Sequence, residues 1–179
     1  MRTLSLELPE RLDFLRGNKS LDMGYPWITM GAIIALEEII KPMFSVLEFG
    51  SGGSTIFFAK RCSSVLSYET NIEWYNKVKS ITDINHSNVV LKYGNMDMFT
   101  NDISHDNNKY DVILIDSNEK TTNRKILADM CISKTNRYIV VDNYLRWGMN
   151  RFKPEGFRMY TFDDMRWNGR GTRIFQRIE

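Results

Sequence analysis

The chain has 179 residues, of which 42% are apolar and 26% charged, and its net charge is +2. That length supports one well-buried core and a single domain, and the near-neutral balance excludes polyanion binding through bulk charge alone. No apolar run approaches the ~18 residues of a membrane-spanning helix, and Glu7, Glu10 and Asp13 interrupt the stretch where a signal peptide carries its apolar core.

The elements follow in chain order. Residues 29–41 predict a helix, because Ala32, Ile33, Leu36, Ile39 and Ile40 recur at spacings of three and four and Pro42 stops the run. Residues 45–49 (SVLEF) are too short for a helix before the glycines and predict a buried strand. A helix over 53–61 follows, with Phe57, Phe58 and Ala59 inward. SVLSYE (64–69) is a second strand. Thr70 and Glu73 have the spacing of a capping box and open a helix with Trp74, Val78 and Ile81 on one face. NVVLKYG (88–94) is a third strand, the polar tract 100–109 a surface loop, and YDVILID (110–116) a fourth strand. A helix over about 119–132 has Ile126, Leu127, Met130 and Cys131 as its inner face, and RYIVVD (137–142) is the fifth strand.

Strands alternating with helices predict a doubly wound, mostly parallel sheet covered on both faces. The strands over 157–163 and 171–178 are separated by too few residues for a crossover helix, so they must pair antiparallel. The expected architecture is therefore a Rossmann-like α/β domain of seven strands with an antiparallel C-terminal hairpin. Its core spans residues 26–178, and residues 1–25 form an N-terminal extension.

Acids collect at the strand ends. Glu48, Glu69, Asp116 and Asp142 end the first, second, fourth and fifth strands, and Asp97 lies just past the third. Right-handed crossovers place all of these ends on the ligand-binding edge of the sheet. Gly50, Gly52 and Gly53 allow close backbone approach to a ligand, and Glu69 lies about 20 residues beyond them, the spacing of a ribose-binding acid.

VLEFGSGGST (46–55) resembles the first motif of class I S-adenosylmethionine-dependent methyltransferases, and the terminal hairpin resembles the sixth and seventh strands of that fold. The resemblance covers roughly residues 26–178. It implies S-adenosylmethionine as cofactor, with contacts from Trp27, Thr29, Glu48, Gly50, Ser51, Gly52, Gly53, Ser54, Thr55, Glu69, Thr70, Met96, Asp97 and Asp116. In that picture the Gly50–Gly53 turn faces the methionine part, with Glu48 near the amino group. Glu69 takes the ribose hydroxyls, and Met96 and Asp97 flank the adenine.

The acceptor is read by elimination. DSNEK (116–120) lacks the Asn/Asp-Pro-Pro pattern of amide and adenine N-methyltransferases, and no cysteine ends a strand. Oxygen remains, in a small molecule or a carbohydrate. Asp116, Asp142 and Asn143 resemble the Mg²⁺ ligands of catechol-type O-methyltransferases, with Lys120 one residue away from the usual position of a catalytic lysine. The metal-free alternative has Asp116 as general base. His86 and His105 fall at the wrong edge for catalysis.

Three rival readings stay open. A nicotinamide dehydrogenase wants a third glycine at position 55, where Thr55 stands. A nucleic-acid 2′-O-methyltransferase is motivated by eight Lys or Arg against three Asp or Glu over 146–177. A non-catalytic cofactor-binding protein is the third. Cys62 and Cys131 are isolated thiols without zinc spacing, which fits a reducing compartment. The expected location is the cytoplasm, of the cell of origin or of a host cell.

Overall fold

Seven short apolar runs form one sheet. The computed structural model describes residues 20–117, 121–146, 148–163 and 171–178. The strands are β1 (Ser45–Phe49), β2 (Ser64–Glu69), β3 (Val89–Tyr93), β4 (Tyr110–Ile115), β5 (Thr135–Val141), β6 (Phe157–Phe162) and β7 (Thr172–Arg177). Their order is β3-β2-β1-β4-β5-β7-β6. All pairs among β1 to β5 are parallel. β7 runs antiparallel to both β5 and β6, as the short connection demands. The chain winds outward from β1 to β3 and then returns to place β4 on the other side of β1. The crevice between the ends of β1 and β4 is thus the topological switch point.

Helices cover both faces: α1 (Ser20–Met23), α2 (Met30–Ile39), α3 (Gly53–Ala59), α4 (Ile72–Asn85), α5 (Met96–His105) and α6 (Thr121–Lys134). Strand alternation sorts the core into two layers. Val46, Val112, Leu114 and Val140 pack with Ala32, Ile33, Leu36, Phe57 and Phe58. Leu47, Ile113, Ile139 and Val141 pack with Phe99, Ile103, Leu127 and Cys131. Both cysteines are free and buried. Among the described residues no helix is long and apolar enough to cross a membrane.

The structure departs from the sequence reading in three places that bear on the site. Six of the ten residues of the expected loop over 100–109 are helical. α5 is capped by the Asn95 side chain, which accepts from the Met98 N–H at 3.0 Å, and buries Met96, Phe99 and Ile103. Polar residues outnumber these three anchors and hide their spacing of three and four. The cap of α4 is Asn71, which accepts from the Trp74 N–H at 2.8 Å, and not Thr70 with Glu73. On α6, Ile126 is 46% exposed while Arg124 is fully buried. The inward row is therefore Arg124, Leu127, Ala128 and Cys131, an i, i+3, i+4, i+7 face with a cation at its first position.

Candidate functional site

A cleft of about 380 Å³ opens at the carboxyl ends of β1, β2 and β4, a size suited to a small-molecule ligand. The Gly50–Ser54 turn, Glu69, Thr70, Asn71, Trp27 and Asp116 all line it. All of these except Asn71 are residues that the sequence reading named, and they line one space.

Gly50 makes the turn feasible. Its φ is +97°, and an added Cβ would lie 2.8 Å from the carbonyl carbon and oxygen of Asp116. Its N–H donates to the Tyr68 carbonyl at 2.9 Å. The end of β1 thus passes directly against the end of β4 at the switch point, an approach that only glycine permits. Gly53 serves a different purpose. A Cβ there would overlap the carbonyl oxygens of Ser20 and Tyr25, so this glycine seats the segment before α2 on the start of α3.

Glu48 lies beneath the turn and does not line the cleft. It is fully buried, and its Oε2 accepts from the hydroxyls of Thr55 and Ser67, each at 2.5 Å. Thr55 Oγ1 in turn accepts from the Gly52 N–H at 2.9 Å. The residue standing where a dinucleotide turn has its third glycine is therefore the link between turn and acid. Burial pushes the Glu48 carboxyl up to about 7, against the opposing pull of the Ser54, Ser67 and Thr55 hydroxyls. Among the described residues its Oε1 has no hydrogen-bond partner.

Glu69 is the acid that meets the cleft. Its Oε2 accepts from the N–H and the hydroxyl of Ser51 at 3.0 and 3.1 Å. Its Oε1 accepts from the N–H groups of Thr70 and Asn71 at 2.9 and 2.8 Å. Trp74 closes the circuit by donating its indole N–H to the Ser51 carbonyl at 2.6 Å, with its ring lying against Gly52. The sequence reading placed Trp74 inward with Val78. It is instead 36% exposed and lines the cleft. Trp74→Phe keeps the ring and removes the donor. In a urea melt it should cost about 1 kcal/mol, the net worth of one such bond, and Trp74→Ala should cost more. Identical midpoints for wild type and the Phe variant would show that the indole bond carries nothing.

Met96 and Asp97 border an adjoining hollow, with Thr70 common to both spaces. Met96 is buried and Asp97 exposed. Thr29 lies away from the cleft lining. Its N–H donates to Thr172 Oγ1 at 3.2 Å, and that hydroxyl donates to Asp142 Oδ1 at 2.8 Å. The other Asp142 oxygen accepts from Asn143 Nδ2 at 2.6 Å.

These contacts decide how Mg²⁺ fits. Asp142 is buried, and both of its oxygens serve protein donors. Asp116 Oδ1 lies 3.6 Å from Nη2 of the buried Arg124, which also donates to the Ile115 carbonyl at 2.8 Å. A resident guanidinium thus occupies the cationic position beside Asp116, and Asp116, Asp142 and Asn143 do not fit a Mg²⁺ site. Among the described residues no cluster of three His, Cys, Asp or Glu could hold a metal ion. Lys120 lies outside the described residues. Asn71, Trp74, Ser117 and Arg124 are site residues that the sequence reading missed. Asn71 had a detectable signal, a capping residue three positions before Trp74.

No protein-family model matches the chain, and no curated protein matches it. Solved structures do. The O-methyltransferase from Bacillus cereus in complex with SAH aligns at a TM-score of 0.70 and 18% identity, covering 99% of this chain and 94% of that one. A methyltransferase from Geobacter sulfurreducens aligns at 0.63 and 15% identity, covering 98% and 92%. An rRNA methylase from Streptococcus thermophilus aligns at 0.63 and 11% identity, covering 99% and 100%. With its strand order, its antiparallel end and its cleft at the switch point, the chain has the class I methyltransferase fold.

Proposed function

We propose that the chain is an S-adenosylmethionine-dependent methyltransferase acting on a hydroxyl of a small molecule or carbohydrate. One observation carries this reading: the Gly50 turn, the Glu69 carboxylate and Asp116 share a single cleft at the switch point. The amino-acid end of the cofactor would lie along Gly50–Gly53, its ribose at Glu69, and its adenine toward Met96 and Asp97. Glu48 acts by holding the turn through Thr55.

A sulfonium methyl group is already electrophilic, so the protein must align the acceptor oxygen and remove its proton. Asp116 lies in the cleft with its Oδ1 3.6 Å from the Arg124 guanidinium. It is the base in this reading, and no metal takes part. A nucleic-acid hydroxyl is the second reading, favoured by the rRNA methylase that aligns along its whole length and by the basic stretch over 146–177.

Calorimetry with S-adenosylmethionine and S-adenosylhomocysteine, with and without EDTA, tests the core of the proposal. Both ligands should bind, with affinities unchanged by the chelator. A subsequent screen for labelled methyl transfer to sugars, phenols and RNA separates the acceptors, and turnover should survive EDTA. If neither ligand binds, the methyltransferase reading is wrong. If EDTA abolishes turnover, the metal-free mechanism is wrong.

A further inference from the structure

The Glu69 carboxylate is already saturated by the protein. An ionised carboxylate offers about four acceptor positions. The Ser51 N–H, the Ser51 hydroxyl, the Thr70 N–H and the Asn71 N–H supply four donors, all within 3.1 Å. Three of these are main-chain groups. Thr70 and Asn71 belong to the turn that starts α4. The main chain of Ser51 is gripped from its other side by the indole of Trp74 and follows the constrained Gly50. Only the Ser51 hydroxyl can leave Glu69 by rotation about a single side-chain bond.

We propose that the Ser51 hydroxyl is an internal competitor for the position on Glu69 that a nucleoside diol takes, and that it lowers the affinity of this cleft for such ligands. The inference rests on reading the cleft as an S-adenosyl site. A ribose hydroxyl that donates to Glu69 must displace one donor already there, and the serine side chain yields most readily. Deleting the hydroxyl leaves one acceptor position on a buried carboxylate (8% exposed) without a donor in the free protein. A buried acceptor without a donor is unfavourable. The diol relieves that penalty on binding, so the variant gains affinity. The sign is the opposite of that expected for a ligand-contacting residue, whose truncation weakens binding.

The test is calorimetry with S-adenosylhomocysteine and its 2′,3′-dideoxy analogue on wild type, Ser51→Ala and Ser51→Cys. The Cys variant fills the serine's space with a poor donor, and thermal melts confirm that each variant is folded. Both variants should bind S-adenosylhomocysteine about fivefold more tightly than wild type, the equivalent of one net hydrogen bond. The dideoxy analogue should bind all three proteins alike. Unchanged or weaker binding of S-adenosylhomocysteine by the folded variants would overturn the proposal, as would an equal gain for the dideoxy analogue, while the S-adenosyl reading stood on the wild-type result. Failure of all three proteins to bind S-adenosylhomocysteine would remove that reading, and the competitor role with it.

Discussion

Gly50→Ala is expected to abolish ligand binding at the cleft and to lower stability by about 3–5 kcal/mol. Two costs combine. A non-glycine residue held in a sparsely populated backbone region costs about 1–3 kcal/mol. Here φ is +97°, and the new methyl would also lie 2.8 Å from the Asp116 carbonyl and 2.9 Å from the Ser117 nitrogen. Those are main-chain atoms at the end of a central strand, and they cannot rotate away as a flexible side chain would. Relief requires β1 and β4 to separate at the switch point, which moves the cleft lining. Urea melts read the stability, and titration with S-adenosylhomocysteine reads the cleft. A variant that melts within about 1 kcal/mol of wild type and still binds would show that the close approach is not needed.

Glu48 should make the protein less stable as pH rises from about 4.5 to about 7. Its carboxyl goes from an ordinary value of 4.5 to about 7 in the folded chain, chiefly through burial. Between these values the folded state holds a proton that the unfolded state has released. Stability therefore falls with rising pH across the window. The contribution is fully present below 4.5 and lost above about 7. At about 1.4 kcal/mol per unit the whole effect is on the order of 3 kcal/mol. His86 acts below 6.5, overlapping this window, with the opposite slope, because burial and then Lys60 hold its pKa down. Asp102, held low by its hydrogen bond from Lys92, acts at more acidic pH. Comparison with Glu48→Gln isolates the one group. The glutamine still offers an oxygen to Thr55 and Ser67 but cannot ionise. Urea midpoints at pH 5 and pH 8 should differ by about 3 kcal/mol more in wild type than in the variant. An equal pH dependence in both proteins would show that Glu48 is not the source.

The fold was legible in the sequence because its signals are local. The apolar runs before Gly50 and up to Asp116 announce central strands, and the short link between residues 163 and 171 compels an antiparallel pair. The cleft lining was partly legible for the same reason, since Gly50 and Glu69 follow directly from strand ends. The rest depended on tertiary choices. Arg124 occupies a core position on α6 that an apolar residue would ordinarily fill, and its partners, the Ile115 carbonyl and Asp116, lie on β4 and just beyond it. Nothing local marks the Trp74 indole as reaching back 23 residues to Ser51. Glu48 and Glu69 look alike in sequence. The burial of one under Thr55 and the placement of the other at the cleft come from sheet packing. The metal expectation lacks support for the same reason, because a strand-end aspartate shows neither its neighbouring cation nor its hydroxyl partner in the sequence.

The hydrogen-bonded circuit through Ser51, Glu69, Asn71 and Trp74 has a kinetic consequence. The two loops at the ends of β1 and β2 are tied to each other before any ligand arrives, so, among the described residues, these two need no ordering on binding. The entropy that a mobile lid would lose at the moment of binding is lost during folding instead. Association should therefore vary little among ligands and variants that keep the circuit, and differences in affinity should appear as differences in residence time.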